Sequence, residues 1–145
     1  RFWGLKGRSI AGLRLYAKNR YLDWQTTACQ YSSGKVEDFQ KATADRASQV
    51  VEMFDLEHSL ESDDLQILED YRGPAYGVLD DRVIEAIQMV GKAEGLILDP
   101  NYTGKAMAGL IGELRAGRID PEVTIVFIHS GGLPQLFAHA DKFVD

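Results

Sequence analysis

The chain has 145 residues and a formal net charge of −6, with 22 acidic and 16 basic side chains. This length suits one domain or a piece of a larger one, and the 45% hydrophobic content indicates a folded chain rather than a disordered one. The acidic balance argues against nucleic-acid binding, which needs clustered Lys and Arg. No apolar run approaches the roughly 20 residues that span a bilayer, so no membrane partner is expected.

The cysteine and histidine content limits the redox and metal chemistry. The single cysteine, Cys29, excludes an intrachain disulfide and favours a reducing, cytoplasmic compartment. Three scattered histidines offer no metal-ligand spacing, so no metal is expected. Since the chain starts at Arg1 rather than Met and has no signal-peptide pattern, we expect residues 1–145 to be a processed or truncated portion of a longer polypeptide.

Helix and strand signals alternate along the chain. Short apolar or β-branched runs predict strands at 24–31, Leu65–Leu68, 96–98 and 123–128. Apolar residues at helical spacing, with their capping residues, predict helices at about 10–18, at 36–54, between Asp80 and Gly95, between Thr103 and Gly117, and from Pro134 onward. This order predicts an α/β fold with a mainly parallel sheet flanked by helices. The last strand is a continuous apolar run, which suits a strand that is covered on both faces.

Three loops follow predicted strands, at 71–77, 99–104 and 129–132. Each loop contains glycine together with hydroxyl-bearing or ionisable residues. In sheets of this kind, ligands bind beyond the carboxyl ends of the strands. We therefore expect any chemistry to lie where these loops meet.

Several residues in the three loops have both a structural and a functional interpretation. Ser130 and Gly131, followed by a second glycine before a helix, suit an anion or a flat polar ring, but a tight turn explains them equally well. Residues 102–105 (YTGK) lack the upstream glycine of a Walker A loop, which argues against a nucleotide triphosphatase. In that segment, Thr103 is expected to cap a helix and Lys105 to be a solvated surface lysine.

The tyrosines and the histidine of these loops give no complete catalytic set. Tyr71 and Tyr76 flank a Gly-Pro turn, where tyrosines usually pack at the surface and are less often catalytic. His129 ends a predicted strand and is expected to be satisfied by hydrogen bonds. Composition and spacing alone therefore lead to an α/β domain with a small-molecule pocket, and no further.

Three segments of the carboxyl-terminal half resemble a known family. They are residues 73–77 (GPAYG), 94–110 (EGLILDPNYTGKAMAGL) and 127–134 (FIHSGGLP). In this order they are similar to the end of the D-cysteine desulfhydrase and 1-aminocyclopropane-1-carboxylate (ACC) deaminase family. These are pyridoxal-phosphate enzymes of fold type II, so the resemblance implies part of that fold and pyridoxal 5′-phosphate as the cofactor.

The resemblance assigns roles to the matching positions. It implies that Tyr102 and Tyr76 are active-site tyrosines beside the cofactor and the substrate. It places Thr103 at the pyridine nitrogen and Ser130 and Gly131 in the loop that holds the cofactor. Upstream, residues 7–13 (GRSIAGL) lie where the family holds the cofactor phosphate, which gives Gly7 and Ser9 that role. It also implies a small amino-acid substrate and a homodimeric complete enzyme.

Two of these positions favour the desulfhydrase branch. At Thr103 the deaminases carry Glu and the desulfhydrases Thr, and at Ser130 the deaminases carry Leu and the desulfhydrases Thr. A glutamate beside the ring nitrogen stabilises a protonated pyridinium, whereas a neutral hydroxyl does not. Expelling a β-leaving group needs less carbanion stabilisation than opening a cyclopropane ring. This predicts α,β-elimination that yields pyruvate, ammonia and sulfide, with ACC deaminase or L-cysteate sulfo-lyase activity as alternatives.

No lysine of the chain matches the family's Schiff-base lysine, which lies upstream of the matched stretch. We therefore expect the chain to be the carboxyl-terminal part of the enzyme and to be inactive alone. A non-catalytic small-anion-binding module and a degenerate subunit that keeps only the fold stay open.

Overall fold

The computed structural model describes residues 26–29, 35–57 and 61–143, and the fold is built from four helices and a strand pair within them. The elements are β1 (Thr26–Cys29), α1 (Val36–Met53), a 3₁₀ turn (Ser62–Asp64), β2 (Leu65–Leu68), α2 (Asp81–Glu94), α3 (Thr103–Arg115), α4 (Pro134–Phe137) and a second 3₁₀ turn (Ala140–Lys142). The helix predicted at about 10–18, and Gly7 and Ser9, lie outside the described residues. None of the described helices combines the length and the apolar character needed to cross a bilayer.

The two strands form a parallel pair. Thr26 pairs with Leu65, and Cys29 with Leu68, in a continuous register. α1 lies between them in the chain, as a parallel pair requires, because the chain must return to the same end of the pair before the second strand begins. Two of the four predicted strands are therefore present and run parallel, but the wider, mainly parallel sheet is not shown in the described residues.

The other two predicted strands, 96–98 and 123–128, have no strand pairing in the structure. A strand needs a neighbouring strand to share backbone hydrogen bonds with, and apolar composition alone does not provide one. The last run is also not covered on both faces: Ile125 is 3% exposed, but Val126 and Ile128 are 37% and 44% exposed. Burial alternates along it, as expected for an extended segment with one covered face.

α1 packs through small residues rather than through its large apolar ones. Its buried positions are Thr43, Ala44 and Ala47, and the helix lies against β2. Val50 and Phe54, which the sequence pattern placed on the apolar face, are 39% and 65% exposed. The period of the helix is thus predicted correctly, but the face that it buries is not.

α2 begins and ends where the sequence predicts. The Asp80 carboxylate accepts a hydrogen bond from the backbone N–H of Val83 at 3.1 Å, which satisfies one of the unpaired donors of the first turn. Gly95 closes the helix in the left-handed conformation, with φ at +67°. The buried face, Val83, Ala86, Ile87 and Val90, packs against α3.

α3 is the most buried helix of the core. It is buried at every position from Thr103 to Leu110, because α2 covers one side and β1 lies beside it. Gly104 permits the close approach of α2: a Cβ there would lie 2.5 Å from the carbonyl oxygen of Asp99 and 3.1 Å from the Ile87 side chain. The start of α3 is thereby locked into the interior, with its first turn beside the three candidate loops.

Candidate functional site

A buried aspartate organises the start of α3. Asp99 has 0% of its surface exposed. Its Oδ2 accepts hydrogen bonds from the backbone N–H groups of Asn101 and Tyr102, both at 2.8 Å. Its Oδ1 accepts from the N–H of Thr103 at 2.6 Å. A carboxylate placed here both satisfies otherwise unpaired donors and complements the positive end of the helix.

The prediction that Thr103 caps α3 is wrong, because Thr103 is the first helical residue and Asp99 supplies the capping side chain. The Thr103 side chain is itself fully buried. Its hydroxyl donates to Asp99 Oδ1 at 2.7 Å and accepts from the Asp99 N–H at 2.9 Å. The hydroxyl proton therefore points to Asp99, and one acceptor lone pair of the oxygen is left over.

Lys105 is buried, so the prediction of a solvated surface lysine is wrong. Only 3% of the residue is exposed, and its Nζ donates to the carbonyl oxygens of Arg72 at 2.7 Å and Ala75 at 3.0 Å. Desolvation by burial lowers its pKa from the ordinary value. The lysine fastens the 71–77 loop onto the first turn of α3.

The two tyrosines that flank the Gly-Pro turn have separate roles. Tyr71 is buried, and its hydroxyl donates to Glu113 at 2.9 Å. Burial, followed by the bond to Glu113, raises the pKa of Tyr71. Tyr76 is 63% exposed and faces the candidate site instead. The loop thus has one tyrosine anchored in the core and one at the site.

Tyr76 and Tyr102 form a hydroxyl pair. Their oxygens are 3.0 Å apart, and their rings meet edge to face with centroids separated by 6.2 Å. The hydrogen bond to Tyr76 is the largest cause of a raised pKa at Tyr102. Tyr102 therefore keeps its proton at neutral pH, so it is suited to hydrogen bonding and proton transfer and not to nucleophilic attack as a phenolate.

A side-chain amide network connects this pair to the rest of the site, and sequence analysis missed it. The Tyr76 hydroxyl accepts from Gln135 Nε2 at 3.4 Å. The side chain of Gln135 also accepts a hydrogen bond from Asn101 Nδ2, and Asn101 Oδ1 accepts from the backbone N–H of Gly77 at 2.7 Å. Nothing local in the sequence marks Gln135, since it lies on the four-residue helix α4.

The 129–132 loop closes the site on the other side. His129 Nε2 donates to the carbonyl oxygen of Ile97 at 2.8 Å, and its Nδ1 accepts from the Gly131 N–H at 3.3 Å, so the ring is satisfied by backbone groups as predicted. Ser130 is exposed, and Gly131, with φ at +98°, has open space where a Cβ would be. Gly132 lies against Asp99.

The prediction that the three loops meet is confirmed. Tyr76 of the first loop contacts Tyr102 of the second, and Gly132 of the third packs on Asp99 of the second. A separate groove of about 260 Å³ between α2 and α4 is lined by apolar residues together with Gln88 and Lys92, and it includes none of these side chains. In the described part of the chain, no three His, Cys, Asp or Glu side chains gather where they would hold a metal ion.

Comparisons with known proteins identify the family of the chain. Residues 6–131 match the model of a family described as pyridoxal-phosphate dependent enzyme. Over 76 residues, which are 52% of the chain, it is 47% identical to D-cysteine desulfhydrases of Salmonella newport and Salmonella dublin. Among solved structures, a crystal structure of an ACC deaminase homologue matches 80% of the chain with 30% identity and a TM-score of 0.62. The matched stretches span 23% of each desulfhydrase and 34% of the solved chain.

Proposed function

Since the chain belongs to the family of pyridoxal-phosphate-dependent enzymes, we propose that it forms part of an enzyme that catalyses α,β-elimination on a small β-substituted amino acid. With a D-cysteine-like substrate, the Cα–H and Cβ–S bonds break and sulfide leaves. Hydrolysis of the released enamine gives pyruvate and ammonia. The names of the desulfhydrase relatives support this choice of substrate class.

The residues at the site fit a flat, anionic cofactor. Gly131 leaves open space where a Cβ would be, Ser130 is exposed beside it, and the Tyr76–Tyr102 hydroxyl pair belongs to the two other loops of the site. We assign Ser130, Gly131 and Thr103 to cofactor binding, together with Gly7 and Ser9 for the phosphate. When bound, pyridoxal phosphate supplies an electron sink that stabilises negative charge at the substrate Cα.

The observation that carries the proposal is the Tyr76–Tyr102 hydroxyl pair. Two phenols 3.0 Å apart, one of them mostly exposed, place exchangeable protons beside an open site. In the proposed reaction, these hydroxyls hydrogen-bond the substrate and move a proton. General acid–base groups of this kind contribute about 10²–10⁴-fold to rate.

For Thr103 we propose a hydrogen bond from its hydroxyl to the unprotonated ring nitrogen, which can only accept one. In the structure the hydroxyl proton is directed at the Asp99 carboxylate, so the hydroxyl would turn away from Asp99 to reach the ring. Because the side chain has no exposed surface in the structure, this contact requires the covering groups to move when the ring binds.

ACC deaminase and L-cysteate sulfo-lyase activities are the alternatives within the family, and a non-catalytic anion-binding module is the alternative outside it. The ACC deaminase homologue supports the first of these. A hydroxyl at position 103 favours elimination of a β-substituent over ring opening, because it does not supply the full charge of a carboxylate to the ring nitrogen.

We also propose the setting of this chain in the complete protein. It is the carboxyl-terminal part of a homodimeric, cytoplasmic enzyme whose cofactor-bearing lysine lies upstream. Segments 96–98 and 123–128 then join a wider parallel sheet. Two observations support this: burial alternates over 125–128 with the period of a strand, and His129, at the end of the second segment, bonds the Ile97 carbonyl of the first.

The experiment compares Tyr102→Phe and Tyr76→Phe in the full-length protein loaded with pyridoxal phosphate. We expect turnover of D-cysteine to fall by about 10²-fold or more for at least one variant, Tyr102→Phe foremost. Tyr71→Phe is the matched control, because it removes a phenol oxygen from the same loop but away from the site. Near-full turnover and substrate affinity in both folded variants would show that the tyrosines only wall the pocket.

A product assay separates the alternatives. D-Cysteine and L-cysteate should both give pyruvate if they are substrates, with sulfide or sulfite as the second product. ACC should give a four-carbon 2-oxo acid. Release of no 2-oxo acid from any of the three by the wild-type protein would contradict the proposed function.

A further inference from the structure

Gln135 lies at the centre of a hydrogen-bond chain that crosses the whole candidate site. The chain runs from the Gly77 N–H to Asn101, from Asn101 to Gln135, from Gln135 to the Tyr76 hydroxyl, and from there to Tyr102. It joins both tyrosine-bearing loops to α4.

The direction of each bond follows from the backbone donor at the start. Because Asn101 Oδ1 accepts from the Gly77 N–H, its amide nitrogen must face Gln135. Gln135 therefore presents its carbonyl oxygen to Asn101 and its own amide nitrogen to Tyr76. Neither amide can be flipped without placing two donors or two acceptors face to face.

This polarity determines what the Tyr76 hydroxyl offers. Its oxygen accepts from an amide N–H, so its own proton is directed away from Gln135, towards Tyr102 or a bound substrate. A hydroxyl that accepts one hydrogen bond becomes a better donor in the next. The amide dipoles of Asn101 and Gln135 thus point the same way along the hydrogen-bond chain, which ends at the tyrosine pair.

Packing alone does not fix Tyr76. The residue is 63% exposed, and its ring meets Tyr102 only edge to face. An exposed side chain of this kind needs hydrogen bonds to hold one rotamer. The amide of Gln135 supplies that restraint from the opposite side of the hydroxyl.

We infer that Gln135 is a positioning residue, which holds the Tyr76 hydroxyl so that the tyrosine pair presents its protons to the substrate. The expected effect on catalysis rests on the proposed function, whereas the hydrogen-bond geometry does not. The pKa of Tyr102 supports it: the bond to Tyr76 and the charge of Asp99 raise this pKa, and the Gln135 amide opposes them.

The test uses Gln135→Leu and Gln135→Glu in the full-length protein. Leucine removes both hydrogen bonds of the amide. Glutamate keeps the size and the acceptor towards Asn101 but cannot donate to Tyr76. Gln49→Leu, on the exposed face of α1, is the matched control for the same substitution outside the site.

The first readout needs neither cofactor nor substrate. Isotope-labelled tyrosine NMR, with Tyr76→Phe and Tyr102→Phe for assignment, follows the titration of the two phenols. We expect both Gln135 variants to raise the pKa of Tyr102, because the Gln135 amide lowers it in the wild type and this donor is lost. Gln49→Leu should leave the two signals unchanged.

The second readout is steady-state kinetics of the loaded enzyme. We expect kcat to fall by about 2- to 10-fold in both variants, the value of one net hydrogen bond, with a smaller change in KM. Unchanged phenol titration together with unchanged kcat would overturn the inference. A shifted titration in a protein whose wild type turns over no amino acid would support the positioning and reject the proposed function.

Discussion

The Thr103 hydroxyl donates a hydrogen bond of 2.7 Å to the Asp99 carboxylate, and the Asp99 backbone N–H donates one of 2.9 Å back to the same hydroxyl. This reciprocal pair joins the first residue of α3 to the turn that precedes it. Both residues are fully buried, so water does not compete for either bond. Tyr102, a tyrosine of the candidate site, lies between them in sequence, so these two bonds orient it.

Asp99→Asn should weaken the start of α3. The amide offers one acceptor oxygen in place of two and turns its NH₂ group towards backbone N–H donors. We expect a loss of about 1–3 kcal/mol in the free energy of unfolding, measured with urea. Asp81→Asn, on the exposed first turn of α2, is the control. Equal stability of Asp99→Asn and the wild type would contradict the capping role.

Thr103 substitutions separate the hydroxyl from the side-chain volume. Thr103→Ser keeps both hydrogen bonds and should cost about 1 kcal/mol or less, for one methyl group. Thr103→Val removes both bonds and should cost about 1–3 kcal/mol. Urea unfolding measures the free energy of unfolding of both variants. Equal stability of the valine and serine variants would contradict a stabilising role for the hydroxyl.

Thr103→Glu should lower β-elimination in the complete enzyme. The new carboxylate would draw a proton onto the ring nitrogen, and in the buried site it would also repel Asp99. Turnover of D-cysteine is measured with folding checked by circular dichroism, and Thr103→Ser serves as the control. Unchanged turnover in a folded Thr103→Glu variant would count against Thr103 as the partner of the ring nitrogen.

Lys105 should make stability rise with pH in the alkaline range. Its pKa is lowered in the folded state by desolvation, so the unfolded chain binds the proton more tightly. The free energy of unfolding then increases as the pH rises from the folded-state pKa towards the ordinary value of about 10.4. The free energy of unfolding of Lys105→Met, measured with urea at each pH, is subtracted from that of the wild type to isolate this contribution. A difference that is flat or falls with pH would refute it.

Lys105 should also resist covalent labelling. Its Nζ is buried and donates to two backbone carbonyls, which leaves no path for attack on an aldehyde. After incubation of the folded 145-residue chain with pyridoxal phosphate and borohydride reduction, we expect peptide mapping to find no pyridoxyl group on this residue. Specific modification of Lys105 would reveal an accessible amine.

Glu113 should contribute stability that acid removes. Hydrogen bonds from Arg118, at 2.7 Å, lower its pKa more than burial raises it, and Tyr71 adds a further bond. The folded-state pKa lies below the unfolded one, so this stabilisation is complete above the unfolded pKa and is lost as pH falls through the folded value.

The corresponding variant is Glu113→Gln. At neutral pH it should lose about 1–3 kcal/mol in urea unfolding, and the difference from the wild type should shrink on acidification. Glu85→Gln removes a carboxylate from an exposed pair with Arg115 and should have a smaller effect, since solvent screens such pairs. If the difference in the free energy of unfolding between wild type and Glu113→Gln does not shrink in acid, the Glu113 carboxylate is not the source of this stability.

Local signals in the sequence predicted the elements whose causes are local. The bounds of α2 follow from the Asp80 cap and from Gly95, both of which act within one turn of the helix. The sequence pattern predicts the start of α3 at Thr103 correctly but not its capping side chain, because that carboxylate belongs to Asp99, which precedes the helix. The meeting of the three loops was predicted from the general position of sites in α/β folds.

What the sequence did not show depends on distant partners. Lys105 is buried by carbonyl groups of the 71–77 loop, and no feature near it in the sequence indicates them. Gln135 is a polar residue on a short helix, and its contacts with Asn101 and Tyr76 come from tertiary structure alone. The segments 96–98 and 123–128 have the composition of strands, but pairing is a property of neighbours and not of composition.

Gly132 packs against the side chain of the capping aspartate. Its φ is +92°, and a Cβ at this position would lie 2.7 Å from Asp99 Cγ. Any larger residue would therefore push the carboxylate out of place and release the backbone N–H groups that it holds. The first turn of α3 is thus built jointly by two distant stretches of chain, so that a side chain added at position 132 would disturb a helix that begins almost thirty residues earlier.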